Sequence, residues 1–192
     1  MISYYHFIVI ITKTKMCFVE KEFRKWLLLF FSGGKMEQYI QPFINVCESV
    51  FKNFCQIEVK PGRVYFTNKE DYGKMWDISG IIGLSGEVTG AVAISMNDQC
   101  AIAITKSLTE NDHSSLDNDV TDAIGEIINI IAGNSKKDFE EELRIKISLP
   151  SIVKGKNHTI IWPSEKTRII CIPFHIFENQ EICLSVAMDP AK

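Results

Sequence analysis

A chain of 192 residues that is 46% hydrophobic and 23% charged can bury one sizeable core and fits a single globular domain. Its formal net charge of −3 is unevenly spread: residues 1–35 hold Lys13, Lys15, Lys21, Arg24, Lys25 and Lys35 against Glu20 and Glu22, or +4, leaving −7 on the rest. An acidic body with no Lys/Arg stripe along any helix argues against a nucleic-acid groove.

The apolar runs Tyr5–Thr12 and Trp26–Phe31 are too short to span a bilayer, and neither has the flanks of a secretory signal. Ser32-Gly33-Gly34-Lys35 just before Met36 reads like a translated ribosome-binding site, so residues 1–35 are expected to be an upstream extension and 36–192 the domain. A membrane-surface helix around Glu20–Phe31 is the other reading of that segment. From Met36 a helix is expected, with Pro42 in its first turn and Phe43, Ile44, Cys47, Val50, Phe51 and Phe54 at helical spacing. Short strands follow near Gln56–Lys60 and Arg63–Thr67, then a hairpin of Asp77–Ser85 and Val88–Met96 turning at Gly86-Glu87. Asp98 opens a short helix over Gln99–Leu108, and Ser114 or Ser115 is placed to cap a long one. Strands close the chain near Arg144–Leu149, Thr159–Trp162, Arg168–Phe177 and Glu181–Met188. Helix-then-strands occurs twice, which predicts an α+β fold: an antiparallel sheet with long helices packed on it, in two similar halves.

The six cysteines form no C-x-x-C pair, and most sit in contexts such as Ile170-Cys171-Ile172, so they read as small buried hydrophobes in a reducing compartment. The four histidines, His6, His113, His158 and His175, are scattered and read as solvated or satisfied core side chains. No phosphate loop, dinucleotide fingerprint, H-E-x-x-H or G-x-S-x-G is present.

The long helix is the informative one. At about 100° per residue, Asp122, Glu126, Asn129 and Gly133 fall within an arc of roughly 60°. The opposite side carries Val120, Ala123, Ile124, Ile127, Ile128, Ile130 and Ile131, an apolar face for the core. Gly133 within such a helix costs about 1 kcal/mol against alanine. A surface flat enough for another molecule to approach Glu126 and Asn129 is one return for that cost. Gly133-Asn134 would end the helix as a C-cap, but Phe139 and Leu143 continue its period beyond, where Lys136-Lys137 can pair with Glu140-Glu141-Glu142. Two carboxylates one turn apart with no further ligands nearby do not make a metal site. An asparagine cannot act as an acid or base, yet it can hold a water by donating and accepting at once. An exposed Asn beside an exposed Glu therefore suits hydrolysis inside a partner's site, where the partner holds the reactive group.

Asp122-x3-Glu126-x2-Asn129-x3-Gly133-Asn134 is similar to the signature of the CheC/CheX/FliY phosphatases of bacterial chemotaxis. Tyr39-Ile40-Gln41-Pro42-Phe43 and Ile147-Ser148-Leu149-Pro150-Ser151-Ile152-Val153-Lys154-Gly155 resemble the CheX branch in particular. The resemblance implies a cytoplasmic enzyme that binds a phosphorylated CheY-type response regulator and hydrolyses its aspartyl phosphate. Asn129 would orient the water, Glu126 would pair with the regulator's lysine, and Asp122 and Gly133 would contact the partner. The chain would need no cofactor of its own, the Mg2+ residing on the regulator. The first helix offers Glu37-x-x-Ile40 and Glu48-x-x-Phe51, neither ending in Asn, so one site per subunit is implied. A homodimer joined through its sheets is also implied, with no membrane or nucleic-acid partner. A non-catalytic regulator-binding module of the same fold, as in the flagellar switch, is the alternative.

Overall fold

The computed structural model describes residues 36–67, 75–139, 144–160, 162 and 169–191. The expectations for residues 1–35, for Glu140–Glu142, for Leu143 and for Arg168 lie outside these. Among the described residues three helices, α1 (Met36–Asn53), α2 (Asp98–Thr109) and α3 (Asn118–Phe139), accompany a sheet of eight strands. The strands are β1 (Val59–Pro61), β2 (Tyr65–Thr67), β3 (Trp76–Gly86), β4 (Val88–Met96), β5 (Ile145–Ile147), β6 (Ser151–His158), β7 (Ile169–Ile176) and β8 (Gln180–Pro190). Every pairing is antiparallel, in the order β1-β7-β8-β4-β3-β5, with β2 also on β7 and β6 also on β3. The fold is α+β, and its two halves interlock. The early strands β1 and β2 pair with the late β7, while the late β5 and β6 pair with the early β3.

Alternation along β3 and β4 divides the sheet into two faces. Ile78, Ile82, Leu84, Val92, Ile94 and Met96 are buried on the helix side, under the isoleucines of α3. The other side carries small residues, Ala93, Cys171, Cys183 and Ala187, beneath Trp162 and the partly buried Trp76 and Ile160. α1 meets the C-terminal end of α3 through Phe43 and Phe139, whose ring centres lie 5.6 Å apart.

Several expected elements moved. α1 begins at Met36, so Pro42 sits inside the helix rather than in its first turn. Asn97 caps α2, its Oδ1 accepting from the Cys100 amide at 2.7 Å. The cap of α3 is Asp117, not Ser114 or Ser115: its Oδ1 accepts from the Val120 amide at 2.9 Å. The strand expected at Thr159–Trp162 is absent at Thr159, Ile160 and Trp162, and Trp162 is buried as a lid on the small-residue face. The strand is instead β6, just before it. The Gly86-Glu87 turn is as expected. Gly86 has φ 116°, and a Cβ there would run into the Arg144 carbonyl, so glycine is required.

Five cysteines, Cys47, Cys55, Cys100, Cys171 and Cys183, are free and buried. Burial pushes the thiols of Cys55 and Cys100 up to about 12 and raises Cys47 well above its ordinary value, as inert core groups require. Cys171 differs: a hydrogen bond from the Cys183 thiol draws it down to about 7. Among the described residues no helix is long and apolar enough to cross a membrane.

Candidate functional site

α3 is fixed at its start by a short hydrogen-bond chain. His113 Nδ1 donates to Asp117 Oδ2 at 2.9 Å, while Asp117 Oδ1 holds the first turn. The Val120 amide first, and then His113, keeps the Asp117 carboxyl below its usual range. Lys154 Nζ on β6 donates to the Leu116 carbonyl at 3.2 Å, tying the sheet edge to the entry of the helix. Below, Val120, Ile124, Ile127, Ile128 and Ile131 are all fully buried, and Ala123 and Ile130, expected in the same face, are half-buried at its margin. One apolar face clamped on the sheet leaves the opposite arc no choice but solvent.

That arc is the one expected from the spacing. Asp122 and Glu126 are exposed, and Asn129, Gly133 and Asn134 are half-buried. Asp122 and Glu126 stand four residues apart and repel, at a cost of roughly 0.2–0.5 kcal/mol for such a like-charge pair. Neither Glu126 nor Asn129 has a side-chain hydrogen bond or ion pair within the described residues. Gly133-Asn134 is not a C-cap, because α3 runs on to Phe139 and Asn134 Oδ1 accepts from Lys137 Nζ at 3.1 Å.

Nothing among the described residues requires a glycine at 133. A Cβ there would meet only Ile147 Cδ1, at 4.0 Å. Gly133→Ala is therefore expected to stabilise the protein by about 0.5–1 kcal/mol, the ordinary helix preference. Urea unfolding of the full chain checks this, and a loss of stability would show that the site is tighter than its open space indicates.

The strand expected over Arg144–Leu149 covers only Ile145–Ile147, and Ser148-Leu149-Pro150, part of the motif that carried the resemblance but given no contact role, links β5 to β6. It runs beside α3: where a Cβ of Gly125 would sit, Ile152 Cδ1 is 3.6 Å and Pro150 Cγ 3.9 Å away. Leu149 is 86% exposed. The histidines stay in supporting roles. His158 Nδ1 donates to the Gly155 carbonyl at 2.8 Å, and Nε2 then accepts from Ser79 Oγ at 2.8 Å. Among the described residues no group of three or more His, Cys, Asp or Glu side chains is placed to hold a metal ion.

Solved structures of chemotaxis proteins share this architecture. The chain is similar to CheX from Vibrio vulnificus (26% identity, covering 79% of this chain and 99% of that one, TM-score 0.72). It is equally similar to CheX from Desulfovibrio desulfuricans, with the same identity, coverage and TM-score. It shares the fold of the CheX–CheY–BeF3–Mg2+ complex from Borrelia burgdorferi at 24% identity, 78% and 97% coverage and TM-score 0.68. No curated protein sequence matches the chain. A sequence model described as chemotaxis phosphatase CheX matches residues 78–175, just over half of the chain and the whole of α3. On that match, and on the antiparallel sheet and three helices it shares with solved CheX structures, the chain belongs to the CheX family.

Proposed function

We propose that this protein binds a phosphorylated CheY-type response regulator in the cytoplasm and accelerates hydrolysis of its aspartyl phosphate. One observation carries the reading: Glu126, exposed, and Asn129, half-buried, lie one turn apart on one face of α3 with no side-chain hydrogen bond or ion pair among the described residues. Polar side chains held in place by the fold but serving nothing within it are what a partner's site would use.

In this reading the Asn129 amide oxygen accepts a hydrogen bond from a water and aims its lone pair at phosphorus, opposite the aspartyl oxygen. The water oxygen bonds to phosphorus as the P–O bond to the aspartate breaks, inorganic phosphate leaves carrying the water's oxygen and protons, and the regulator's carboxylate is restored. Glu126 pairs with the lysine that neutralises the phosphoryl group and so anchors the complex. Asp122 and Gly133 complete the contact surface. The Mg2+ belongs to the regulator, in keeping with a relative of the same fold found in a complex with CheY, BeF3 and Mg2+. A homodimer joined through its sheets also belongs to this reading. The outer edge of β6, which pairs only with β3 among the described residues, is open for it.

The test is loss of label from a 32P-phosphorylated CheY of the same organism with and without the protein. Acceleration supports the phosphatase. Binding without acceleration leaves a regulator-binding module instead.

Glu126→Ala is expected to weaken complex formation by about 1–3 kcal/mol, the range for losing a hydrogen bond to a charged group. The loss should be largest at low salt, because added ions screen the pairing that Glu126 supplies. Isothermal titration at two ionic strengths checks it; an affinity indifferent to salt and to the substitution would remove the anchoring role.

A further inference from the structure

Leu149 is the most exposed large hydrophobic side chain among the described residues. Leaving such a side chain in water forgoes roughly 1.5–3 kcal/mol that burial would give. The fold nevertheless holds it out firmly. The Ser148 amide donates to the Gly83 carbonyl at 2.9 Å, and the Gly83 amide donates to Ser148 Oγ at 2.9 Å. Ser148 Oγ in turn donates to the carbonyl of Leu149 itself at 2.7 Å. Pro150 then restricts the backbone of Leu149 to extended conformations. A loop pinned in this way loses little freedom on docking.

Its position follows from two glycines of α3. Gly125 lies against Pro150 and Ile152, and Gly133 lies nearest Ile147. They are eight residues apart, about 12 Å along the helix, with Asn129 midway in the same i, i+4 row. The segment 147–152 therefore runs alongside that row, and Leu149 falls level with Asn129.

We propose that Leu149 is the apolar anchor for the phosphorylated regulator, seated in a nonpolar recess bordering the phosphoaspartate. The inference rests on the function proposed above and adds its docking determinant. The occupant follows from that placement: segment 147–152 borders the helix row that holds Asn129, so a partner presenting a phosphoaspartate there docks next to Leu149. One exposed apolar side chain beside the polar arc of Asp122, Glu126 and Asn129 matches the usual anatomy of an interface, an apolar anchor next to polar groups.

The experiment measures dephosphorylation of 32P-labelled CheY over a range of regulator concentrations by the full-length wild type, Leu149→Ser, Leu149→Met and Asn129→Ala. Direct binding of the same regulator is measured in parallel. Leu149→Ser should raise KM and Kd about tenfold, as truncating an interface anchor does, with kcat within about twofold and unchanged thermal stability. Leu149→Met should restore wild-type binding, since apolar volume is the requirement. Unaltered KM and Kd in Leu149→Ser, beside an active wild type and an inactive Asn129→Ala, would overturn the anchor and leave the phosphatase standing. An inactive wild type whose binding still falls tenfold in Leu149→Ser would keep the anchor and remove the phosphatase. If the wild type neither binds nor dephosphorylates the regulator, both fall. Dissociation of a wild-type dimer by Leu149→Ser, seen in sedimentation with Kd unchanged, would assign the residue to a second copy of the chain and overturn the proposal.

Discussion

Asn129→Ala is expected to lower kcat for regulator dephosphorylation by about 10²- to 10³-fold, the cost of deleting one preorganised transition-state contact. Binding of the phosphorylated regulator should change by no more than about twofold, because an interaction made mainly in the transition state contributes little to the ground-state complex. Folding should change little as well. Asn129 is half-buried and forms no side-chain hydrogen bond or ion pair within the described residues, so its removal strands no partner. Alanine is also the better helix former, by several tenths of a kcal/mol. The paired measurement is single-turnover loss of label at saturating enzyme, with Kd determined separately. Equal losses in rate and affinity would contradict the water-orienting role and make Asn129 a docking residue. A fall in melting temperature would instead place it in the structure.

The exposed arc of the candidate site was legible because a helix clamped by one apolar face leaves nothing ambiguous about the other. Five isoleucine and valine positions at helical spacing dictate which arc of α3 reaches solvent, and Asp122, Glu126, Asn129 and Gly133 follow from geometry. The surroundings were not legible for the opposite reason. β6 has the sequence Ser-Ile-Val-Lys-Gly-Lys-Asn-His and is mostly exposed. Its strand character comes from pairing along β3, not from burial, so no apolar alternation marks it. The neighbouring Thr-Ile-Ile-Trp carries the composition of a strand, yet Ile160 and Trp162 use their apolar surface to cover the small residues of the far face. At the start of α3, Ser114, Ser115 and Asp117 can all cap, and the choice falls to Asp117, which also receives a hydrogen bond from His113. Leu149, within the motif that resembles the CheX branch, had no contact role in the sequence because its segment is brought beside α3 by residues some twenty positions away, which no local pattern reports.

What sets the height of α3 over the sheet is a residue that no spacing rule announces. Gly80 faces the helix from β3, and a Cβ there would sit 2.9 Å from Ile128 Cγ2 and 3.4 Å from the Ile124 carbonyl oxygen. A strand glycine at such a crossing allows two backbones to approach more closely than any side chain permits. Gly80→Val should therefore destabilise the full chain by about 3 kcal/mol, the upper end for overpacking a core. The melting temperature should fall by roughly 6–12 °C at this size. Gly80→Ala should cost less, about 1–2 kcal/mol, and it allows the contact itself to be tested. Ile128→Leu removes the Cγ2 methyl that a Cβ at position 80 would strike, while keeping side-chain volume. The double variant Gly80→Ala/Ile128→Leu should then be about 1 kcal/mol more stable than the sum of the single changes predicts. Strict additivity would show that the strain is relieved elsewhere. Because Asn129 follows Ile128 directly on the same rigid helix, the lift that strains the core also displaces the amide. In Gly80→Ala, kcat should fall while the exposed Glu126 and Leu149 still dock. The substitution lies under the helix and touches no partner, so that split would tie turnover to the packing beneath the site.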